Sequence, residues 1–168
     1  GLRIEQIAAL LQTRQAQLAF NAEEFYQLAT HPPGWVREEF PWLKALPEGS
    51  SLEGFLGANS DLAIDSDISA EGFLRILLAD WEKDIGPAII KEVEDDDRDF
   101  YEVLTLASIL DKETSVDRER RQVAGVYTNR LDYGGETAGL LQADPTLSYA
   151  VDTDKLARLR RDGTFDEW

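Results

Sequence analysis

The segment Leu104 to Leu131, LTLASILDKETSVDRERRQVAGVYTNRL, reads as two helical patterns joined at a polar corner of Asp111, Lys112, Glu113 and Thr114. A carboxyl set against apolar neighbours loses hydration, so its pKa rises and it holds a proton near neutral pH, as a general acid must. On a helical wheel of about 100° per residue, Val103, Leu104, Leu106, Ala107, Ile109 and Leu110 form one apolar face. Glu113 falls at one edge of that face, four residues after Ile109 and seven after Leu106. Asp111 falls at the opposite edge, four after Ala107 and seven after Leu104. The wheel does not choose between the two carboxylates, and an ordinary polar helix end fits it as well. In the second pattern Glu119, Val123, Val126 and Arg130 recur at intervals of four, three and four. Charges on a buried stripe need partners or a site; a structural ion pair, or buried stems with exposed heads, satisfies the same pattern.

Other chemistries find less support. The chain has 168 residues with no cysteine and one histidine, which excludes disulfides and thiolate metal sites. His31 stands alone before Pro32-Pro33, so a zinc site would need three carboxylates and a histidine relay has no serine motif near it. The run EVEDDDRD from Glu92 to Asp99 lacks the turn geometry of a calcium loop. DSDISAEG from Asp65 has Ala70 where such a loop needs glycine and Ile76 where it needs glutamate. DYGGETAG has neither the lysine nor the strand of a phosphate loop. The residues therefore call for no metal and no organic cofactor. A net charge of −16, from 33 acidic and 17 basic residues, disfavours nucleic acid and anionic lipid as partners and leaves a neutral glycan open. Solubility alone also accounts for the acidity.

The elements that must position these groups are helices. Ile4, Ile7, Ala8, Leu11 and Leu18 form a one-face stripe. Asn21, with Glu24 three residues on, caps a short helix through Leu28. Residues 31–51, rich in Pro and Gly, read as loop with a helical turn near Trp42. Ser69 caps a helix whose Phe73, Leu74, Leu77, Leu78 and Trp81 face inward, and Ala88 to Val93 form another piece. Asp144-Pro145 is a turn signal, a short charged helix starts at Asp154, and strand signals are confined to Leu140–Gln142. The expected fold class is mainly α with few short strands. The absence of any methionine marks the chain as a fragment or a processed piece, and its apolar runs fall far short of the ~20 residues of a membrane span.

With these residues in view, the sequence resembles the YceG-like endolytic murein transglycosylases. Their helix A-S-I-V/I-E-K-E-T is matched at Ala107, Ser108, Ile109, Lys112, Glu113 and Thr114. The following E-R and V-A-x-V-F/Y-x-N-R-L are matched at Glu119, Arg120, Val123, Ala124, Val126, Asn129, Arg130 and Leu131. Their L-Q-T/S-D-P-T-V/I-x-Y is matched at Leu141, Gln142, Asp144, Pro145, Thr146 and Tyr149. The opening GLRIEQIAALL and the element SLEGFL, Ser51 to Leu56, are similar as well. The resemblance implies that Glu113 is the catalytic acid and that cleavage of the β-1,4 bond between N-acetylmuramic acid and N-acetylglucosamine leaves a 1,6-anhydro end. It implies substrate-binding or orienting roles for Glu119, Asn129, Gln142, Asp144, Thr146 and Tyr149, with Arg130 holding Glu119 or a peptide-stem carboxylate. It implies glycan strands and the peptidoglycan synthesis machinery as partners, at the extracytoplasmic face of the cytoplasmic membrane. The parent is expected to be α+β, with a membrane helix and a small LysM-like domain outside this chain. Residues 1–56 and 57–99 would be helical supports, and 100–168 the catalytic core, ending before the family's C-terminal segment.

Three departures stand out. Gly57–Asp61 replaces the family's F-P-D-T-Y, the loop before Leu140 is longer, and the segment G-L-P-P-G-P-I does not follow. The first of these supports a rival reading, a glycan-binding or scaffolding homologue without activity; a third reading is a hydrolytic muramidase using Glu113 and Asp144 as acid and base.

Overall fold

The computed structural model describes residues 2–14, 17–57 and 64–163. Among the described residues eight α-helices follow in order: α1 (Ile4–Thr13), α2 (Ala22–Thr30), α3 (Gly34–Glu39), α4 (Ala70–Asp84), α5 (Gly86–Asp95), α6 (Phe100–Glu113), α7 (Asp117–Tyr133) and α8 (Asp144–Asp162). Short 3-10 turns at Pro41–Ala45 and Gly135–Thr137 complete them. No strand occurs among the described residues, so the fold is mainly α and the strands expected near Leu140–Gln142 are absent. Gln142 adopts a left-handed backbone, φ 53°, which breaks an extended run.

Local chemistry sets the helix starts. Asn21 accepts the Glu24 N–H at 2.8 Å, Ser69 the Gly72 N–H at 3.1 Å and Asp99 the Glu102 N–H at 2.9 Å. The last residue of the acidic run is thus a cap for α6. At α1 the cap comes from far along the chain: Glu53 accepts the Ile4 N–H at 2.9 Å. The proline-rich stretch expected to be mostly loop holds α3 as well as the helical turn near Trp42, because Pro33 and Pro41 stand at helix starts, where a missing N–H is harmless. For the same reason Asp144-Pro145 opens α8, a helix ten residues longer at its start than the one expected from Asp154.

One hydrophobic core joins α1 to α5, the Trp42 turn and the SLEGFL loop. Trp42 stacks on Trp81 at 4.4 Å, and the Trp81 indole donates to the Gly54 carbonyl at 2.9 Å. Phe73, Leu74, Leu77, Leu78 and Trp81 are all buried, as the α4 periodicity requires. Gly57 passes so close to α4 that a Cβ there would lie 2.4 Å from the Asp80 carboxylate. Where the family places phenylalanine, this backbone has no room for a side chain unless Asp80 moves; residues 58–61 of that departure lie outside the described residues.

The site region is built differently. Helix α6 begins in the core with Phe100, keeps Tyr101 and Leu104 against it, and then leaves. It packs on α7 and α8, and α8 returns to α1. Tyr127 is the buried residue of α7 and Leu156 that of α8. The apolar face expected along α6 is therefore only half-buried, and Ala107 on it is exposed.

Candidate active site

At the end of α6 the chain turns through Thr114–Val116 and re-enters α7, so that Glu113 faces the middle of the next helix. Glu113, Gln122, Val123, Val126, Tyr127, Arg130 and Gln142 line an open groove of about 290 Å³. That lies at the small end of ligand sites, which span roughly 300–1,000 Å³, and suits one portion of a longer cleft. A slightly larger cavity of about 350 Å³ between α1, α2 and the end of α8 is a poorer candidate. Its cation, Arg160, already donates to Glu23 and lies 3.9 Å over the Tyr26 ring.

The two carboxylates that the wheel left equal have different company. Glu113 lines the groove. Asp111 points to the corner, where it meets Arg120 at 3.5 Å and Lys112 at 3.7 Å. Glu113 is nevertheless exposed, where the wheel set it against an apolar face. The α7 stripe is open too: Val126 is 48% exposed, Glu119 is exposed, and among the described ion pairs none joins Glu119 to Arg130. Arg130 donates instead to the Leu141 carbonyl, with its guanidinium 5.5 Å from the centre of the Tyr127 ring. That bond brings the Leu141–Gln142 backbone against α7 and explains how a residue far along the chain reaches the groove.

Of the residues the sequence suggested, Glu113, Arg130 and Gln142 meet in the groove. Glu119 and Asn129 are exposed and do not line it. Asp144 opens α8 close enough for its charge to reach Tyr127. The Thr146 hydroxyl donates to the Ala143 carbonyl at 2.7 Å, a first-turn contact of α8. Tyr149 sits elsewhere: the Arg3 guanidinium covers its ring at 4.0 Å and donates to Thr153 at 3.2 Å, tying α8 to α1. Burial, followed by the charge of Glu53, pushes the Tyr149 phenol above its ordinary value.

Sequence reasoning passed over Tyr127. It is 3% exposed, and its phenol is pushed above its ordinary value, first by burial and then by the hydrogen bond and negative charge of Glu113. The signal was present as an aromatic four residues after Val123 and three before Arg130, on an otherwise polar helix.

A family model described as the YceG-like family matches residues 1–167. The chain belongs to the YceG-like family. The match runs through α1, the SLEGFL loop and the groove alike. No curated protein and no solved structure matches the chain. No helix among the described residues is long and apolar enough to cross a membrane, and no group of three or more His, Cys, Asp or Glu among them could hold a metal ion.

Proposed function

We propose that this chain is the catalytic part of an endolytic murein lytic transglycosylase. Its substrate is the bond between N-acetylmuramic acid and N-acetylglucosamine in nascent glycan strands, outside the cytoplasmic membrane and beside the synthesis machinery. The observation that carries the reading is the family match together with Glu113, the motif glutamate, in a groove with Gln142 and Arg130. Glu113 protonates the glycosidic oxygen as the bond to muramyl C1 breaks. The resulting carboxylate then takes the proton of the muramyl C6 hydroxyl while that oxygen closes on C1. One carboxyl serves as acid and then base, and the proton balance closes without water. Glu113 is exposed to the groove, and a sugar ring laid over it excludes water from the reacting atoms. Gln142, in the groove, and Gln122 beside it offer amide donors and acceptors to sugar hydroxyls.

A second reading, the hydrolytic muramidase, would use Glu113 and Asp144, the first residue of α8, as acid and base. Uncrosslinked glycan strands incubated with the protein and with Glu113→Gln, followed by mass spectrometry of the product ends, separate the possibilities. Anhydro ends lost in the variant support the transglycosylase. Reducing muramic ends support the hydrolase. Binding without cleavage, insensitive to Glu113→Gln, supports a glycan-binding homologue.

A further inference from the structure

We propose that Tyr127 and Arg130 form a positioning unit for the groove: the phenol holds the Glu113 carboxyl on one wall, and the guanidinium over its ring holds the Leu141–Gln142 backbone on the other. The proposal rests on the transglycosylase reading for its catalytic consequence, and on the groove that Glu113, Tyr127, Arg130 and Gln142 line together for its geometry.

Tyr127 is the buried residue of α7, while Val126 beside it is half open. Tyr127 and Glu113 line the same groove, and the negative charge of Glu113 is among the causes that raise the Tyr127 phenol above its ordinary value. Glu113 is an exposed side chain at the last position of α6, free to sample several rotamers without such a contact. A phenol donating to one carboxyl oxygen leaves the other toward the groove, where a glycosidic oxygen and then a C6 hydroxyl must meet it in turn. On the opposite wall, Gln142 has a left-handed backbone that a non-glycine residue adopts only when its surroundings hold it. The Arg130 bond to the Leu141 carbonyl is such a hold, and Arg130 covers the Tyr127 ring at 5.5 Å. The acid and the amide are thereby referred to the same two side chains of α7. Neither side chain is required to touch substrate, so both are positioning residues.

Two measurements decide the matter. In protein carrying carbon-13 tyrosine, the Tyr127 phenol is titrated in the wild type and in Glu113→Gln, with Tyr127→Phe for assignment. The groups facing Tyr127 are Glu113 from α6, Arg130 from α7 and Asp144 from α8. Removing the Glu113 charge is expected to lower the Tyr127 midpoint and leave that of Tyr26 in place. An unmoved Tyr127 midpoint overturns the coupling. The second measurement is steady-state cleavage of glycan strands by Tyr127→Phe, which keeps the buried ring and removes the hydroxyl. A loss of roughly 10- to 100-fold in kcat, with KM and melting temperature near wild type, is the effect of a misplaced acid. Wild-type kcat in Tyr127→Phe overturns the proposal, and so does a parallel loss of kcat, KM and melting temperature, which marks a merely structural anchor. If the wild-type protein yields no anhydro product, the transglycosylase reading fails, and the titration still decides whether Tyr127 holds Glu113.

Discussion

Asp111 and Glu113 stand two residues apart at the end of α6, yet one meets a pair of cations at the corner and the other a groove. Asp111→Asn is therefore expected to cost less than about 1 kcal/mol in urea denaturation, because its ion pairs are exposed, and to leave glycan cleavage near wild type. Glu113→Gln is expected to lower the cleavage rate by roughly 10²–10⁴ while the melting temperature holds. Equal losses from the two substitutions would remove the distinction between them. Glu53 offers a test by pH. Burial, opposed by the hydrogen bond from the Ile4 N–H, raises its carboxyl above the ordinary value. A folded value above the unfolded one means that the contribution of Glu53 to stability is full below the ordinary carboxylate value and is lost as pH rises through the raised one. Glu53→Gln keeps an acceptor for Ile4 and cannot ionise. Denaturation curves should show the variant at least as stable as wild type at neutral pH, with a flatter pH dependence just above the ordinary carboxylate range; an unchanged slope would contradict this. At this scale the sequence singled out Glu113, Arg130 and Gln142, which meet in one groove. It could not show their exposure, since a wheel ranks faces without saying what covers them, and α6 leaves the core before reaching Glu113.

Helix α6 works as a strut. Phe100 is rooted in the core, edge-to-face with Trp81 at 6.1 Å, and Glu113 stands about 20 Å further along the axis. Phe100→Ala should cost roughly 3–5 kcal/mol, read from denaturant midpoints, because it empties the only fully buried position of α6. A loss below 1 kcal/mol would mean that α6 is held by α7 and α8 instead. The SLEGFL loop gives a second test. Gly57→Ala places a methyl 2.4 Å from the Asp80 carboxylate and should lower the melting temperature. Caps at Asn21 and Ser69 and the inward face of α4 were legible, because each depends on residues within a few positions. The start of α8 and the existence of α3 were not: proline signals a turn and a helix start alike, and only the packed partner tells them apart.

Across the whole molecule, the site depends on contacts that no local pattern encodes. Arg3 near the chain's start covers Tyr149 of α8, and Glu53 caps α1, so the SLEGFL loop, α1 and α8 close on one another away from the groove. Tyr149, read from its motif as a substrate contact, stands under the Arg3 guanidinium in this closure. The net charge of −16 belongs to this scale too. Self-repulsion of that size opposes compactness, and shortening the Debye length from about 30 Å to about 8 Å by adding salt should raise the melting temperature. A fall on adding salt would show that the surface ion pairs outweigh the repulsion. Family membership was legible because the motifs around Glu113, Asn129 and Gln142 lie in order along the chain, and order in sequence survives even where the side chains part in space.

The most direct test of the central claim is cleavage of glycan strands in water enriched in heavy oxygen, read by mass spectrometry of the new muramic ends. Attack by the C6 hydroxyl, with Glu113 as acid and base, yields anhydro ends that carry no label and are one water lighter than hydrolytic ends. Labelled reducing ends would contradict it, because they require water, and not the sugar's own hydroxyl, to have reached C1.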